Sequence, residues 1–186
     1  LISGSCFEAD NFGKKINEKS FLKKKNFFSI SKNSLKDWIF QYHKETKVDV
    51  AWIRIFYVYG DCQRKSSLIP SLIKAKIDKN VIKINTPNDV CDFIYIDDVI
   101  SFFKLLIKKK YNSNIFNLGS GKKIKVLNIC KKILGDDFNK LCIFNKRSKI
   151  KNYYWANMSK VKKIFGYKAS VSLDIGINKI MKNYEN

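Results

Sequence analysis

The chain has 186 residues, 45% hydrophobic and 14% aromatic, which is enough to bury a core and far from a disordered composition. Its 37 Lys and Arg against 16 Asp and Glu leave a formal charge of +21, but the lysines are spread over 23–25, 108–110, 122–125 and 146–151 instead of marking one element. Such a charge speaks to solubility and non-specific association, or to a biased coding composition, so nucleic acid is not an expected partner. No apolar run approaches the roughly 20 residues that span a bilayer, and Leu1 to Cys6 lacks the charged start and apolar stretch of a signal peptide, which predicts a soluble cytoplasmic protein. Cys6, Cys62, Cys91, Cys130 and Cys142 are odd in number and dispersed, with His43 the sole imidazole, so reduced thiols are expected and a metal site is not.

Along the chain, Leu1 to Ser5 reads as a strand end leading into a small-residue turn, and the polar segment from Glu8 to Asn26 as a surface loop. From Phe28 to about Lys44 the residues Phe28, Leu35, Trp38, Ile39 and Tyr42 recur at helical spacing. The run from Val48 to Phe56 suits a strand covered on both faces of a parallel sheet, closed by Gly60. A second helix spans Ser67 to Asp78 with Pro70 in its first turn, and short strands at Val81 to Ile84 and Asp92 to Ile96 flank a turn at Pro87-Asn88-Asp89. Asp97 and Asp98 open an apolar helix reaching Lys108, their charge complementing the helix dipole. A strand at Asn114 to Leu118 ends in Gly119-Ser120-Gly121. Helices are predicted at Val126 to Leu134 with Gly135 as stop, at Ser159 to Phe165 ended by Gly166, and at Ser172 to about Tyr184. The alternation of strands and helices predicts an α/β fold.

Lys32 lies four residues after Phe28 and three before Leu35, on the apolar stripe of the first helix. On spacing alone it reads as a lysine whose stem covers the core while its ammonium reaches water. The Gly119-Ser120-Gly121-Lys122 segment lacks the spacing of a phosphate-binding P-loop.

The order of several segments resembles the extended short-chain dehydrogenases, in their NAD-dependent nucleotide-sugar epimerase/dehydratase branch. That family carries a strand ending in small and hydroxyl residues, Tyr-x-x-x-Lys on a helix, and a strand reading Arg-x-x-Asn-Val-Tyr-Gly. The corresponding segments are Ile2-Ser3-Gly4-Ser5-Cys6, then Phe28-Ser29-Ile30-Ser31-Lys32, then Arg54-Ile55-Phe56-Tyr57-Val58-Tyr59-Gly60. Ser67 to Ile73, Asp92 to Val99, Ile115 to Gly121 and Ser159 to Ile177 continue the likeness in the family's order.

The resemblance implies the C-terminal part of a Rossmann-like parallel sheet over 1–60. Over 61–186 it implies the remaining sheet strands mixed with a small α/β substrate-binding lobe. It implies NAD or NADP as cofactor, a nucleotide-sugar or sugar substrate, and a possible homodimer. It assigns catalysis to Ser5, Lys32 and the position of Phe28, and cofactor binding to Lys32, Phe56, Tyr57 and Tyr59. Substrate binding falls to Ser3, Tyr59, Arg64, Pro70, Cys91 and Asn117.

In the family's mechanism a tyrosine oxygen takes the proton of the oxidised hydroxyl, and the lysine one turn on favours its anion. Phe28 stands at that tyrosine position, and Cys91 where many members have an arginine on the diphosphate. No G-x-G-x-x-G fingerprint occurs, so the chain reads as lacking the N-terminal cofactor-binding half, with weak NAD or NADP binding on its own. The alternative is a catalytically degenerate relative that binds a sugar nucleotide or a protein partner.

Overall fold

The computed structural model describes residues 1–10, 13–20, 22 and 26–185; the lysines at 23–25 lie outside them. The strands in chain order are β1 (Ile2–Ser5), β2 (Ala51–Ile55), β3 (Tyr57–Tyr59), β4 (Ile82–Ile84), β5 (Val90–Cys91), β6 (Phe93–Tyr95), β7 (Asn114–Leu118), β8 (Ile124–Lys125), β9 (Cys142–Phe144) and β10 (Tyr153–Tyr154). The helices are α1 (Phe27–Thr46), α2 (Leu68–Ile77), α3 (Ile96–Lys108), α4 (Val126–Leu134), α5 (Phe138–Leu141), α6 (Ser159–Phe165) and α7 (Leu173–Glu185). The first helix runs slightly beyond its predicted ends, and β8, β9, β10 and α5 carry too short a pattern to be read from the sequence.

β1, β2 and β7 form a parallel sheet with β2 in the centre, in the register Ile2↔Trp52 and Ala51↔Asn114. Because side chains alternate along a strand, Ala51 and Ile53 join Phe116 and Leu118 on one face, where they pack with Phe102 of α3 and Phe165 of α6. Trp52 and Arg54 point to the other face and meet Glu8, whose Oε2 accepts from Trp52 Nε1 at 2.8 Å and Arg54 Nε at 3.2 Å. The segment read as a surface loop therefore supplies buried groups: Glu8 and Ala9 are fully buried, and Ile16 bridges to Ala156. A polar sequence hid this, because the buried carboxylate finds its ion pair only across the fold.

α1 departs from the sequence pattern in another way. Its buried face is Ser29, Asn33 and Lys36, while Phe27, Trp38 and Tyr42 are exposed, Phe27 to 91% and Trp38 to 65%. Asn26 caps the helix, accepting from Ser29 N at 2.9 Å, and Asn33 Nδ2 donates to the Glu8 carbonyl at 3.1 Å. A hydrogen bond to the 3-10 turn Cys6–Glu8, with the edge-on contact of Phe28 and Phe7 beside it, thus joins this helix to the turn.

The remaining strands form smaller pairings: β3 with β6 and β4 with β9, both parallel, and β5 between β10 (parallel) and β8 (antiparallel). They pack with α2, α4 and α7 around a second core that includes Tyr59, Leu72, Ile84, Ile129 and Ile180.

Candidate functional site

Two neighbouring features bear chemistry: a corner at the C-terminal end of β1 and a cleft beyond β3. At the corner, Ser5 ends β1 and caps the following 3-10 turn, its Oγ accepting from Phe7 N at 3.2 Å. Its own N–H donates to Glu8 Oε1. The Ser5 hydroxyl also hydrogen-bonds the neighbouring Cys6 thiol, a weak acceptor. Lys32 Nζ donates to the Ser3 carbonyl at 2.9 Å, so the lysine folds back over the strand end instead of running into solvent, and two of its three donors remain. One turn before it, Phe28 is half exposed and meets Phe7 edge-on at 6.4 Å.

The cleft encloses about 500 Å³. Its inner wall comes from β3, β5 and β6 and includes Tyr57, Tyr59, Cys91 and Phe93; its outer wall comes from β4, the residues just after it and the β3–α2 loop and includes Arg64, Ser67, Lys83, Asn85 and Thr86. Phe7 joins the corner to the cleft, with its ring centroid 5.6 Å from that of Tyr57, and Tyr57 continues to Phe93 at 5.5 Å.

Burial, reinforced by the neighbouring thiols, pushes the Tyr57 phenol far above its usual range, and its hydroxyl donates to the Cys91 thiol. Burial likewise raises the Cys91 thiol to about 12. The Tyr59 phenol is raised too, first by burial and then by Asp98, and donates to the Ser172 carbonyl at 3.4 Å. Neither tyrosine is therefore a ready proton acceptor at neutral pH.

Asp89 also lines the cleft, but it accepts from Lys151 N, Asn152 N and Asn152 Nδ2 at 2.7, 3.1 and 2.7 Å, so its charge is spent on its own chain. Among the described residues the side chains of Arg64 and Lys83 have no hydrogen-bond or ion-pair partner. The cleft thus presents unpaired positive charge at its polar side and rings at its inner side.

The Gly119-Ser120-Gly121 turn wraps a carboxylate of its own chain: Asp92 accepts from Ser120 N at 2.7 Å, Gly121 N at 2.9 Å and Ala156 N at 3.0 Å. A Cβ on Gly119 would come within 2.5 Å of Asp92 Oδ2, which is why the position takes glycine. A grouping of His43, Ser113 and Asp49 at the opposite end of the sheet is not a catalytic triad. His43 Nδ1 lies 2.7 Å from the Val48 carbonyl, which can only accept, and the Ser113 hydroxyl donates to Asp49.

Of the residues singled out in the sequence, the fold brings Ser3, Ser5, Phe28 and Lys32 to the corner and Tyr57, Tyr59, Arg64 and Cys91 to the cleft. It does not bring the other three there. Phe56 is buried with Cys6, Ile16 and Tyr154, Pro70 faces a separate small cavity beside Tyr184, and Asn117 is fully buried with its amide donating to the Ile16 carbonyl at 2.9 Å. Lys83, Asn85, Thr86 and Phe7 went unread. A charged residue between two isoleucines of a short strand, and an aromatic two residues after Ser5, were the available signals.

Among proteins of known identity, the chain is 29% identical over 135 residues to dTDP-D-glucose 4,6-dehydratase from Dictyostelium discoideum, covering 72% of this chain and 31% of that protein. The chain spans less than half the length of curated relatives it matches. Its fold superposes on dTDP-glucose 4,6-dehydratase from Bacillus anthracis in complex with NAD with a TM-score of 0.87 at 18% identity, covering 98% of this chain and 60% of that one. It also superposes on UDP-glucuronic acid 4-epimerase from Bacillus cereus with a TM-score of 0.86 at 23% identity and the same coverage, solved as a tyrosine-to-phenylalanine mutant with NAD and a UDP-4-deoxy-4-fluoro-glucuronic acid. These likenesses establish a Rossmann-type α/β fold. The family model of the NAD-dependent epimerases and dehydratases matches residues 1–119, and the chain belongs to that family.

Proposed function

We propose that this chain carries the substrate-binding and reaction end of an NAD(P)-dependent nucleotide-sugar epimerase, dehydratase or reductase. The observation that carries the reading is the cleft of about 500 Å³, with unpaired Arg64 and Lys83 on one side and, through Phe7, the Ser5–Lys32 corner on the other. A nucleoside diphosphate suits the cationic side, since Arg and Lys bind phosphate oxygens by charge-assisted hydrogen bonds. The sugar then extends across Tyr57 toward Ser5.

The residues present fit the nicotinamide-ribose end of NAD: Lys32 keeps donors for a ribose diol, and Ser5 can exchange its weak bond to the Cys6 thiol for a substrate oxygen. When bound, that cofactor accepts a hydride from the sugar carbon. Lys32 and Ser5 hold and orient, while Phe28 contributes a ring edge and no proton acceptor.

That last point favours a second reading, a binding protein in which acid–base chemistry is lost. General acid–base groups contribute about 10²- to 10⁴-fold, and neither Tyr57 nor Tyr59 replaces the missing oxygen. The mutant epimerase, solved with both NAD and a sugar nucleotide, illustrates that a phenylalanine replacing a tyrosine is compatible with occupancy in that protein.

Calorimetric titration with UDP-, dTDP- and CDP-hexoses tests the binding reading. Saturable binding is expected, weakened roughly tenfold or more by Arg64→Ala, as for a lost charged hydrogen bond of about 1.4 kcal/mol or more. Absence of binding by the folded chain, or indifference to both Arg64→Ala and Lys83→Ala, overturns it. Assays with NAD added separate the two readings: turnover appearing only after Phe28→Tyr supports the binding protein, and turnover with Phe28 in place supports the enzyme.

A further inference from the structure

We infer that the outer face of the β10–β5–β8 sheet binds single-stranded nucleic acid, with its rings stacking on bases and its lysines meeting phosphates. The lysine tracts at 122–125 and 146–151 are separate in the sequence, but they meet in the fold. β5 pairs with β8 on one side and β10 on the other, in the registers Val90↔Lys125 and Tyr153↔Val90. Asn88 Nδ2 donates to the Lys146 and Ser148 carbonyls at 3.1 and 2.8 Å, which brings the second tract against the start of β5.

Residues paired across a sheet point to the same face. Ile124, Cys91 and Tyr154 form one such row; Cys91 and Tyr154 are buried, and Cys91 lines the cleft. Lys125, Val90 and Tyr153 therefore share the opposite face, turned away from the Arg64–Lys83 cleft. Trp155 continues that face, its ring centroid 5.0 Å from that of Tyr153 at 82°, and Lys123 Nζ lies 5.8 Å from the Trp155 centroid. Ile16 bridges to Ala156 with both buried, so Lys15, one residue before, points out beside Trp155. Tyr153 and Trp155 are half-exposed, and Lys15, Lys123 and Lys151 are exposed.

Among the described residues none of these lysines has an ion-pair partner. Between Asp98 and Asp174 the sequence holds no carboxylate except Asp136 and Asp137. These follow the far end of α4, and Asp137 pairs with Lys79. Asp89, Asp92 and Glu18 lie in or beside the sheet, but they accept from the backbone N–H groups of Lys151, Ser120 and Asn117. Diffuse lysine charge attracts any polyanion. Two adjoining rings set among lysines add a stacking surface, which the splayed bases of a single strand can use and the paired bases of a duplex cannot.

The test is fluorescence anisotropy of the whole chain with a labelled oligo(dT) of about 12 nucleotides, between about 50 and 200 mM salt. Binding that weakens with salt is expected. Trp155→Ala is expected to weaken it about 5- to 100-fold, the loss of one base–ring stack, while Trp155→Phe keeps most of the affinity. The triple variant Lys123→Gln/Lys125→Gln/Lys151→Gln is expected to flatten the slope of log K against log salt by about 2, three phosphate contacts at about 0.7 each. Lys108→Gln/Lys109→Gln/Lys110→Gln removes the same charge at the end of α3 and is expected to leave affinity and slope as they were. Far-UV circular dichroism of each variant keeps folding out of the comparison. Absence of binding at about 50 mM salt, equal losses from the two triple variants, or indifference to Trp155→Ala overturns the inference. So does a duplex of the same length bound as tightly as the single strand, or stronger binding to phosphatidylserine vesicles, which would mark a membrane surface instead.

Discussion

Glu8 shows how much one buried carboxylate organises. One oxygen takes the Ser5 N–H and the other takes Trp52 Nε1 and Arg54 Nε, with Glu8 fully buried and Arg54 1% exposed. Replacing a buried ion pair by apolar groups is often neutral, but removing one partner strands a charge. Glu8→Ala is therefore expected to cost about 3–5 kcal/mol in urea unfolding, because Arg54 keeps its charge among groups that cannot neutralise it. The double variant Glu8→Leu/Arg54→Met is expected to regain most of that loss. A single-variant loss below about 1 kcal/mol would mean that water reaches Arg54 and the pair is not dry.

At the scale of elements, α7 meets the cleft wall through a glycine. A side chain at Gly176 would collide with the Tyr59 ring and hydroxyl, whose bond to the Ser172 carbonyl ties β3 to the start of α7. Two effects oppose each other in Gly176→Ala. Alanine raises helix propensity by about 1 kcal/mol, while overpacking a buried contact costs about 1–3 kcal/mol. Backbone lies close to a rigid ring here, so the steric term is expected to win, giving a lower Tm. Tyr59→Phe in the same chain is expected to recover part of it by removing the nearest atom. An unchanged or raised Tm for Gly176→Ala would show that α7 can shift freely on β3. The exposed stripe of α1 is the opposite case: Phe27 is 91% exposed and Trp38 is 65% exposed, stacked only on Tyr42 of its own helix at 5.9 Å, so Phe27→Ser is expected to leave Tm unchanged within error and Trp38→Gln to lower it by no more than a surface ring pair contributes.

Across the molecule, Asp92 joins three segments that are distant in sequence. It follows the cleft residue Cys91, and its oxygens hold the turn after β7 and the segment after β10. Burial raises its carboxyl while the hydrogen bonds from Ser120, Ala156 and Gly121 act in the other direction. Asp92→Asn keeps the shape but turns one acceptor into a donor facing N–H groups. The expected loss is about 1–3 kcal/mol by urea unfolding, accompanied by weaker nucleotide binding because the Cys91 wall loses its anchor. Loss of stability with unchanged affinity would show that the cleft and this junction are independent.

Beyond the family resemblance, which grouped Ser5 with Phe28 and Lys32, the sequence by itself determined the alternation of strands and helices, the buried strand β2, and the helix ends at Gly135 and Gly166. Those follow from period, capping and short spacing, which are local properties of the chain. Only the tertiary structure decided which side chains meet. The pattern on α1 pointed its apolar stripe inward, yet Ser29, Asn33 and Lys36 are buried: Asn33 donates to the Glu8 carbonyl across the fold, while Ser29 and Lys36 find partners in Asn26, Asn33 and Asp37 of their own segment. Asn117 carried the family's motif but turned into the sheet's other face, while Lys83, in a three-residue strand, came to the cleft only because β4 pairs with β9. A buried polar network and a shared cleft depend on contacts between residues dozens of positions apart, and no local period records them.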